Sequence, residues 1–514
     1  MNRINIRVEI YACIDDDAIS GRSRAPVWFA APRRTISTRS GEPLLIERVV
    51  KCFQYQFRTS VGNPFSMKTS VCGFICFALV ASIACAGEWR QFRGPDGQGR
   101  ADAKNLPVTW SETENVIWKT AVPGRGWSSP VYAEGKIWLT TGVEKSLTPE
   151  ALEQQKLTKL AFNPMAKEMS LVESVSLHAV SLDAETGKLL SNTELFTVKE
   201  PPGIHTLNSF ASPTPVLDGH LLLCHFGELG TACLDTSSLQ ILWTTVLPGA
   251  HAVGAGSSPI VYGDLLIIPC DGTDRQYVVA LNKLTGKEVW KTKRPRMTGF
   301  LGDFHKAFSS PLVVNYQGRD QIVIPAAQWF ASYDPLTGKE LWRFRHGEGF
   351  SNSSCPVSDG NLVCITSGVS KTQLFAIRLD GSGDITKTHS AWKISKQVPV
   401  ISSPVIVGHE IYYVNDQGIA SAANLSDGAV LWTKRIGGNH SASPLAADGK
   451  IYFSSQEGKT TVIAAGSEYR ELAVNTLEGQ LLASPVVLDE SLLLRTQSHL
   501  YRIGAKADKK SAEK

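Results

Sequence analysis

Beyond residue 110 the chain alternates short apolar runs with turn residues, and one phrase recurs at the start of each unit. A small residue or two precedes a proline, then come apolar residues, a tight turn and a second apolar run. The phrase stands at Ser128-Ser129-Pro130-Val131, Pro213-Thr214-Pro215-Val216, Ser257-Ser258-Pro259-Ile260 and Ser309-Ser310-Pro311-Leu312. It returns at Ser354-Cys355-Pro356-Val357, Ser402-Ser403-Pro404-Val405, Ser443-Pro444-Leu445 and Ser484-Pro485-Val486, eight copies in all. Glu134-Gly135, Asp218-Gly219, Gly263-Asp264, Asp359-Gly360 and Asp448-Gly449 then fall between runs rich in Val, Ile, Leu and Tyr. Such pairs predict a β-hairpin after each proline.

A second phrase closes the units. Its clearest copies are Asn282-Lys283-Leu284-Thr285-Gly286-Lys287-Glu288-Val289-Trp290 and Asp334-Pro335-Leu336-Thr337-Gly338-Lys339-Glu340-Leu341-Trp342. Weaker copies end at Trp243, Trp392 and Trp432, and a degenerate one runs from Asp183 to Lys188. Asp or Asn before Thr-Gly-Lys makes a turn between strands, and the tryptophan is expected to pack between neighbouring units. Each unit thus reads as four short antiparallel strands, A to D, the content of one propeller blade.

After Pro485 only three strands remain, whereas Val116–Thr120, with Trp118, precedes the first unit and has the sequence of a D strand. It should complete the last blade, leaving no open edge in the ring. The prediction is an all-β fold: an eight-bladed β-propeller of four-stranded antiparallel blades over residues 87–504, closed by an N-terminal strand. The step from Pro130 to Pro215 is 85 residues, against 40 to 52 elsewhere. It leaves room for a helical insertion at about 145–178, with Thr148 as N-cap and Pro149 in the first turn.

Charge and cysteines sharpen the boundaries. Met67-Lys68, the apolar run Val71–Ala84 and Ala84-Cys85-Ala86 make a secretory leader over 67–86, too short for a membrane span. Residues 1–66 then read as an upstream extension, and 505–514 as a charged disordered tail. Ser82-Ile83-Ala84-Cys85 also loosely matches a lipobox, with Cys85 as the lipid anchor of a minority reading. From Gly87 onward 41 basic face 42 acidic residues, a neutral body that argues against nucleic acid as partner. An exported chain can form disulfides. A two-residue turn at Asp359-Gly360 would set Cys355 opposite Cys364, within bonding range.

The Thr-Gly-Lys-Glu-x-Trp phrases resemble the tryptophan-docking motif of PQQ-dependent alcohol dehydrogenases, and the resemblance covers nearly all of 110–503. The same repeat is found in the barrel-assembly lipoprotein of the bacterial outer membrane, a scaffold without cofactor. Glu88-Trp89-Arg90-Gln91-Phe92-Arg93-Gly94-Pro95 resembles the opening of PQQ-like propellers of planctomycete bacteria. The dehydrogenase resemblance implies PQQ, Ca²⁺, an Asp base and two adjacent cysteines. No two cysteines are adjacent here, and no acidic residue is assigned to the base or calcium role by motif.

In a propeller the D–A and B–C connections share one face, so residues before each Ser-Pro phrase should converge on the channel mouth. They are Arg125, Trp127, His205, Asn208, His251, Asp303, His305, Lys306, Phe350, Asn352, Asn439 and His440, joined from B–C loops by Asp271, Asp274, Arg275, Gln328 and Trp329. Trp127 and Phe350 read more readily as blade-top packing than as ligand platforms. Asp303 beside His305 could orient a general base. Arg125, Arg275 and Lys306 are the cations that a carboxylated quinone would require.

Three functions follow. The first is a secreted or periplasmic binding scaffold of the cell envelope, taking protein, carbohydrate or a small molecule at this face. The second is a PQQ-dependent oxidoreductase acting on alcohols or sugars, similar to polyvinyl-alcohol dehydrogenase. The third is a hydrolase or lyase using His305 or His440.

Overall fold

The computed structural model describes residues 87–505 except 162, 164, 300 and 301. The expected leader, Cys85, the upstream extension and the tail from residue 506 lie outside the described residues. Among the described residues no helix is long and apolar enough to cross a membrane.

Eight blades of four antiparallel strands follow one another in chain order, two of them extended by a short parallel fifth strand. The first comprises Val131–Ala133, Lys136–Lys145, Ser174–Asp183 and Leu189–Lys199. The last joins Val486–Leu488, Ser491–Arg495 and His499–Ile503 to Val116–Ala121, so the run ahead of the first repeat is the D strand of the eighth blade. The insertion in blade 1 carries an α-helix, Pro149–Lys159, whose first turn is capped by Thr148 Oγ1 accepting from the Ala151 N–H. No residue of that helix is buried, and it stays a solvated excursion.

The serine of each Ser-Pro phrase has a structural task. The N–H of Ser129 donates to Thr214 Oγ1, that of Thr214 to Ser258 Oγ, and that of Ser258 to Ser310 Oγ, at 2.8 to 2.9 Å. The series resumes from Cys355 to Ser403, Ser403 to Ser443 and Ser443 to Ser484, and Ser129 Oγ donates to the Ser484 carbonyl. A ring of side-chain clasps thus ties each inner strand to the next around the axis. Cys355 interrupts it, because a thiol stands where the other blades carry a hydroxyl. All these side chains are buried, where an unmade hydrogen bond is costly.

The outer strands are joined by tryptophans. Indole N–H groups of Trp118, Trp243, Trp290, Trp392 and Trp432 donate to the carbonyls of Ala184, Lys283, Pro335, Leu425 and Gly466 in the following blade. Trp342 belongs, as expected, to the buried cluster between blades 4 and 5. Its indole N–H differs from the others in donating within its own blade, to Gln321 Oε1 at 2.7 Å. Blade 5 lacks the Thr-Gly turn that would receive it; instead Gly383–Asp384 runs parallel to the edge of blade 4.

The expected Cys355–Cys364 pairing is also corrected. Val357, not Cys355, stands opposite Cys364, and both cysteines are free thiols. The turn is Gly360-Asn361: Gly360 has φ +94°, and Asp359 precedes it, its Oδ1 accepting from the N–H groups of Asn361 and Leu362. Counted from the proline, this is the register of the other blades, as in Ala447 opposite Lys450.

Candidate functional site at the loop face

The D–A and B–C connections lie at one end of the blades, and every loop residue named above sits on or beside one of them. The side chains do not converge. The Arg125 guanidinium is held by Glu144 Oε1, 3.0 Å from Nε and 2.9 Å from Nη2, and donates to the Asn208 carbonyl. Arg275 Nε lies 2.8 Å from Asp274 Oδ2, and Lys306 Nζ lies 2.8 Å from Asp303 Oδ1. All three expected anion-binding cations therefore already carry a carboxylate. Burial would raise the Asp274 pKa, but the Ala250 N–H and Arg275 outweigh it and hold that carboxyl below the usual range. Asp271 is likewise spent in a buried, two-point ion pair with Arg294 at 2.6 and 2.9 Å.

The proposed Asp303–His305 dyad is not formed. Asp303 binds Lys306, while His305 Nε2 donates to the Thr298 carbonyl at 3.1 Å. His440 is 1% exposed and donates from Nε2 to the Gly437 carbonyl; burial lowers its pKa and keeps it neutral. His251 is also buried with a lowered pKa, its Nδ1 3.9 Å from Glu228 Oε1 beside a small pocket of about 20 Å³. That space suits a water molecule, not a substrate. His205 Nδ1 accepts from the Leu207 N–H, and Asn439 caps onto Glu457.

The aromatic residues mostly pack. Trp127 is buried, and so is Trp329, whose indole donates to the Arg296 carbonyl beneath Arg343 and Arg345. Gln328 and Asn352 are buried and bonded to loop backbone. Phe350 is half-buried and meets Phe304 edge-on at 4.9 Å. Arg495, absent from the expected set, reaches the channel rim and donates to Ser128; burial pulls its pKa to about 9. At 2% exposure it is packed away from any incoming ligand.

Beside its charged residues the loop face also exposes apolar ones. Val143 and Val369, of blades 1 and 5, and Leu207, Phe304 and Ile401, on three of the connections between blades, are each 38 to 43% exposed. A search for charged and titratable residues passes over them, and only their place on a repeat-defined loop could have raised them. Among the described residues no three His, Cys, Asp or Glu side chains converge in a metal-holding group. With no adjacent cysteines and no carboxylate cluster among the described residues, the chain lacks the disulfide ring and the calcium ligands that the dehydrogenase resemblance implies.

The family model of the outer membrane protein assembly factor BamB matches residues 149–328 and 326–489. The chain is 26% identical over 213 residues to BamB of Yersinia pestis, a match covering 37% of this chain and half (50%) of that protein. It is 21% identical over 427 residues to the tetrathionate hydrolase of Acidithiobacillus ferrooxidans, covering 79% of this chain and 68% of that one. A europium-containing methanol dehydrogenase superposes with a TM-score of 0.58 at 9% identity, covering 82% of this chain and 98% of that one. The quinohemoprotein alcohol dehydrogenase of Comamonas testosteroni gives 0.53 at 10% identity, covering 83% and 82%. At such identities the two enzymes share the fold.

Proposed function

Because this chain belongs to the PQQ-repeat family of the outer membrane protein assembly factor BamB, we propose that it is an exported binding propeller that offers its loop face to a protein of the cell envelope. One observation carries this reading: Arg125, Arg275 and Lys306 are each neutralised within the fold, by Glu144, Asp274 and Asp303. Binding an anionic cofactor there would first break a pair and desolvate the carboxylate left behind. The face also exposes Val143, Leu207, Phe304, Val369 and Ile401, apolar surface whose burial favours association with a partner. Trp127 and Trp329, the rings suited to stacking on sugars, are 8% and 9% exposed, which favours protein over carbohydrate.

A photo-crosslinking residue at Phe304 or Ile401, placed in the exported protein in its native cells, tests the reading. Discrete adducts are expected there and not at Leu336, a 63% exposed residue on the opposite end. Equal labelling at Leu336, or none at the loop face, would sink the proposal.

A further inference from the structure

The inner strand is the free edge of every blade, and at the hairpin end these edges are not left bare. Residues 89–101 cross the axis there. Trp89 exchanges both backbone hydrogen bonds with Tyr132 of blade 1, at 2.9 and 2.7 Å. The Leu217 N–H of blade 2 donates to the Arg90 carbonyl at 2.8 Å. Arg93 donates to the Pro404 carbonyl at the start of blade 6, and the Ser358 N–H of blade 5 donates to Gln98 Oε1, both at 2.6 Å. Arg100 and Ala101 then run parallel to Ala446 and Ala447 of blade 7. One segment, folded into successive tight turns between Gln91 and Gly99, therefore reads the inner edges of five blades.

The segment has one anchor and one weakness. Trp89 is 1% exposed and joins the apolar core beneath blades 7, 8 and 1. Arg93 is 2% exposed, yet its Nε and Nη1 meet no hydrogen-bond partner, and among the described residues no carboxylate lies within ion-pairing distance. A buried, half-satisfied guanidinium regains hydration when it leaves. At the two ends of the segment, Trp89 and Arg100–Ala101, the backbone contacts are strand additions to existing edges, one of the ways a folded domain holds a peptide.

We infer that the hairpin-end mouth of the channel is a peptide-binding groove, specific for a Trp-x-x-x-Arg-Gly segment that turns at Arg93-Gly94, with residues 89–101 as its resident and exchangeable occupant. It is separate from the loop face and does not depend on the function proposed for that face. The groove recognises backbone through the inner strands of blades 1, 2 and 7 and selects the indole through the pocket that Trp89 fills.

The test keeps the full chain. A protease site is built around Lys104, whose side chain is 75% exposed, and is cut after folding. A fluorescent synthetic peptide of residues 87–103 is then added. The cut segment should stay bound in native mass spectrometry, and the labelled peptide should replace it saturably. A W89A peptide should compete roughly tenfold or more less well, as loss of a buried aromatic anchor does. The inference is overturned if the labelled peptide fails to enter at any excess while the protein stays folded, or if W89A competes equally. Unfolding on cleavage also overturns it, since the segment would then be a structural strand.

Discussion

Gly338→Ala and Trp290→Ala probe one interblade contact from its two sides. Trp290, 9% exposed, lays its ring on Gly338 of the next blade, and Thr292 Oγ1 donates to the Gly338 carbonyl at 2.7 Å. A Cβ on Gly338 would stand 2.3 Å from Trp290 Cε3 and 2.8 Å from Thr292 Oγ1, on a backbone with φ +68°. The left-handed conformation alone costs about 1–2 kcal/mol for a residue with a Cβ. Overpacking adds about 1–3 kcal/mol, so Gly338→Ala should destabilise by about 2–5 kcal/mol. Trp290→Ala loses packing and leaves a cavity, at about 3–5 kcal/mol. The clash exists only while the indole is present, although the Thr292 contact persists. The double mutant should therefore fall short of the summed losses by about 1–3 kcal/mol. Urea unfolding of the four proteins, followed by circular dichroism, gives the coupling directly. Strict additivity would refute the claim that the glycine is there to receive the indole.

The clasp ring makes a paired prediction: Ser403→Ala strands the Cys355 N–H and should cost about 1–3 kcal/mol, while Cys355→Ser restores the missing hydroxyl and should add about 0.5–1.5 kcal/mol. Opposite changes in melting temperature check it, and destabilisation by Cys355→Ser would contradict the ring. Peptide mapping without reductant should recover Cys355 and Cys364 unbonded, with alkylation requiring prior unfolding, since the five cysteines of the propeller are buried. Burial pulls the pKa of His225 down to about 3 and that of His346 to about 4, so both are neutral in the fold. Between about pH 6.5 and 4 the unfolded chain binds more protons, so stability should be full above pH 6.5 and fall on acidification through that window. His346→Gln should flatten part of the melting-temperature profile, and a flat wild-type profile would contradict the assignment.

The blades were legible from sequence because two phrases recur, each with a physical task that tolerates little change. A hydroxyl before Pro130 or Pro259 clasps the neighbouring blade, and an indole such as Trp243 needs a glycine to lie on. Closure by Val116–Ala121 was legible for the same reason, since a missing fourth strand must come from somewhere. The hairpin of blade 5 was misread because Asp-Gly is the stronger local turn signal, whereas counting from Pro356 selects Gly360-Asn361. Trp342 packs between blades as its motif predicts, but its hydrogen bond to Gln321 was not legible, because it depends on the next blade, where an irregular connection replaces the turn. The loop face was legible as a place but not as a chemistry. Arg125 looks like a free cation until the fold brings Glu144, nineteen residues on, beside it. Pairing across antiparallel strands and between loops is a tertiary fact, and no residue type announces it. The apolar residues that remain exposed, Phe304 and Ile401 among them, have no motif.

A titration of the folded protein with PQQ in the presence of Ca²⁺, followed by calorimetry and by dye reduction with an alcohol panel, tests the central claim most directly. Internally paired cations predict no saturable binding up to roughly millimolar PQQ and no alcohol-dependent dye reduction. Stoichiometric binding in the micromolar range, lost in Arg125→Ala or Lys306→Ala, would contradict the pairing and make the loop face a quinone site.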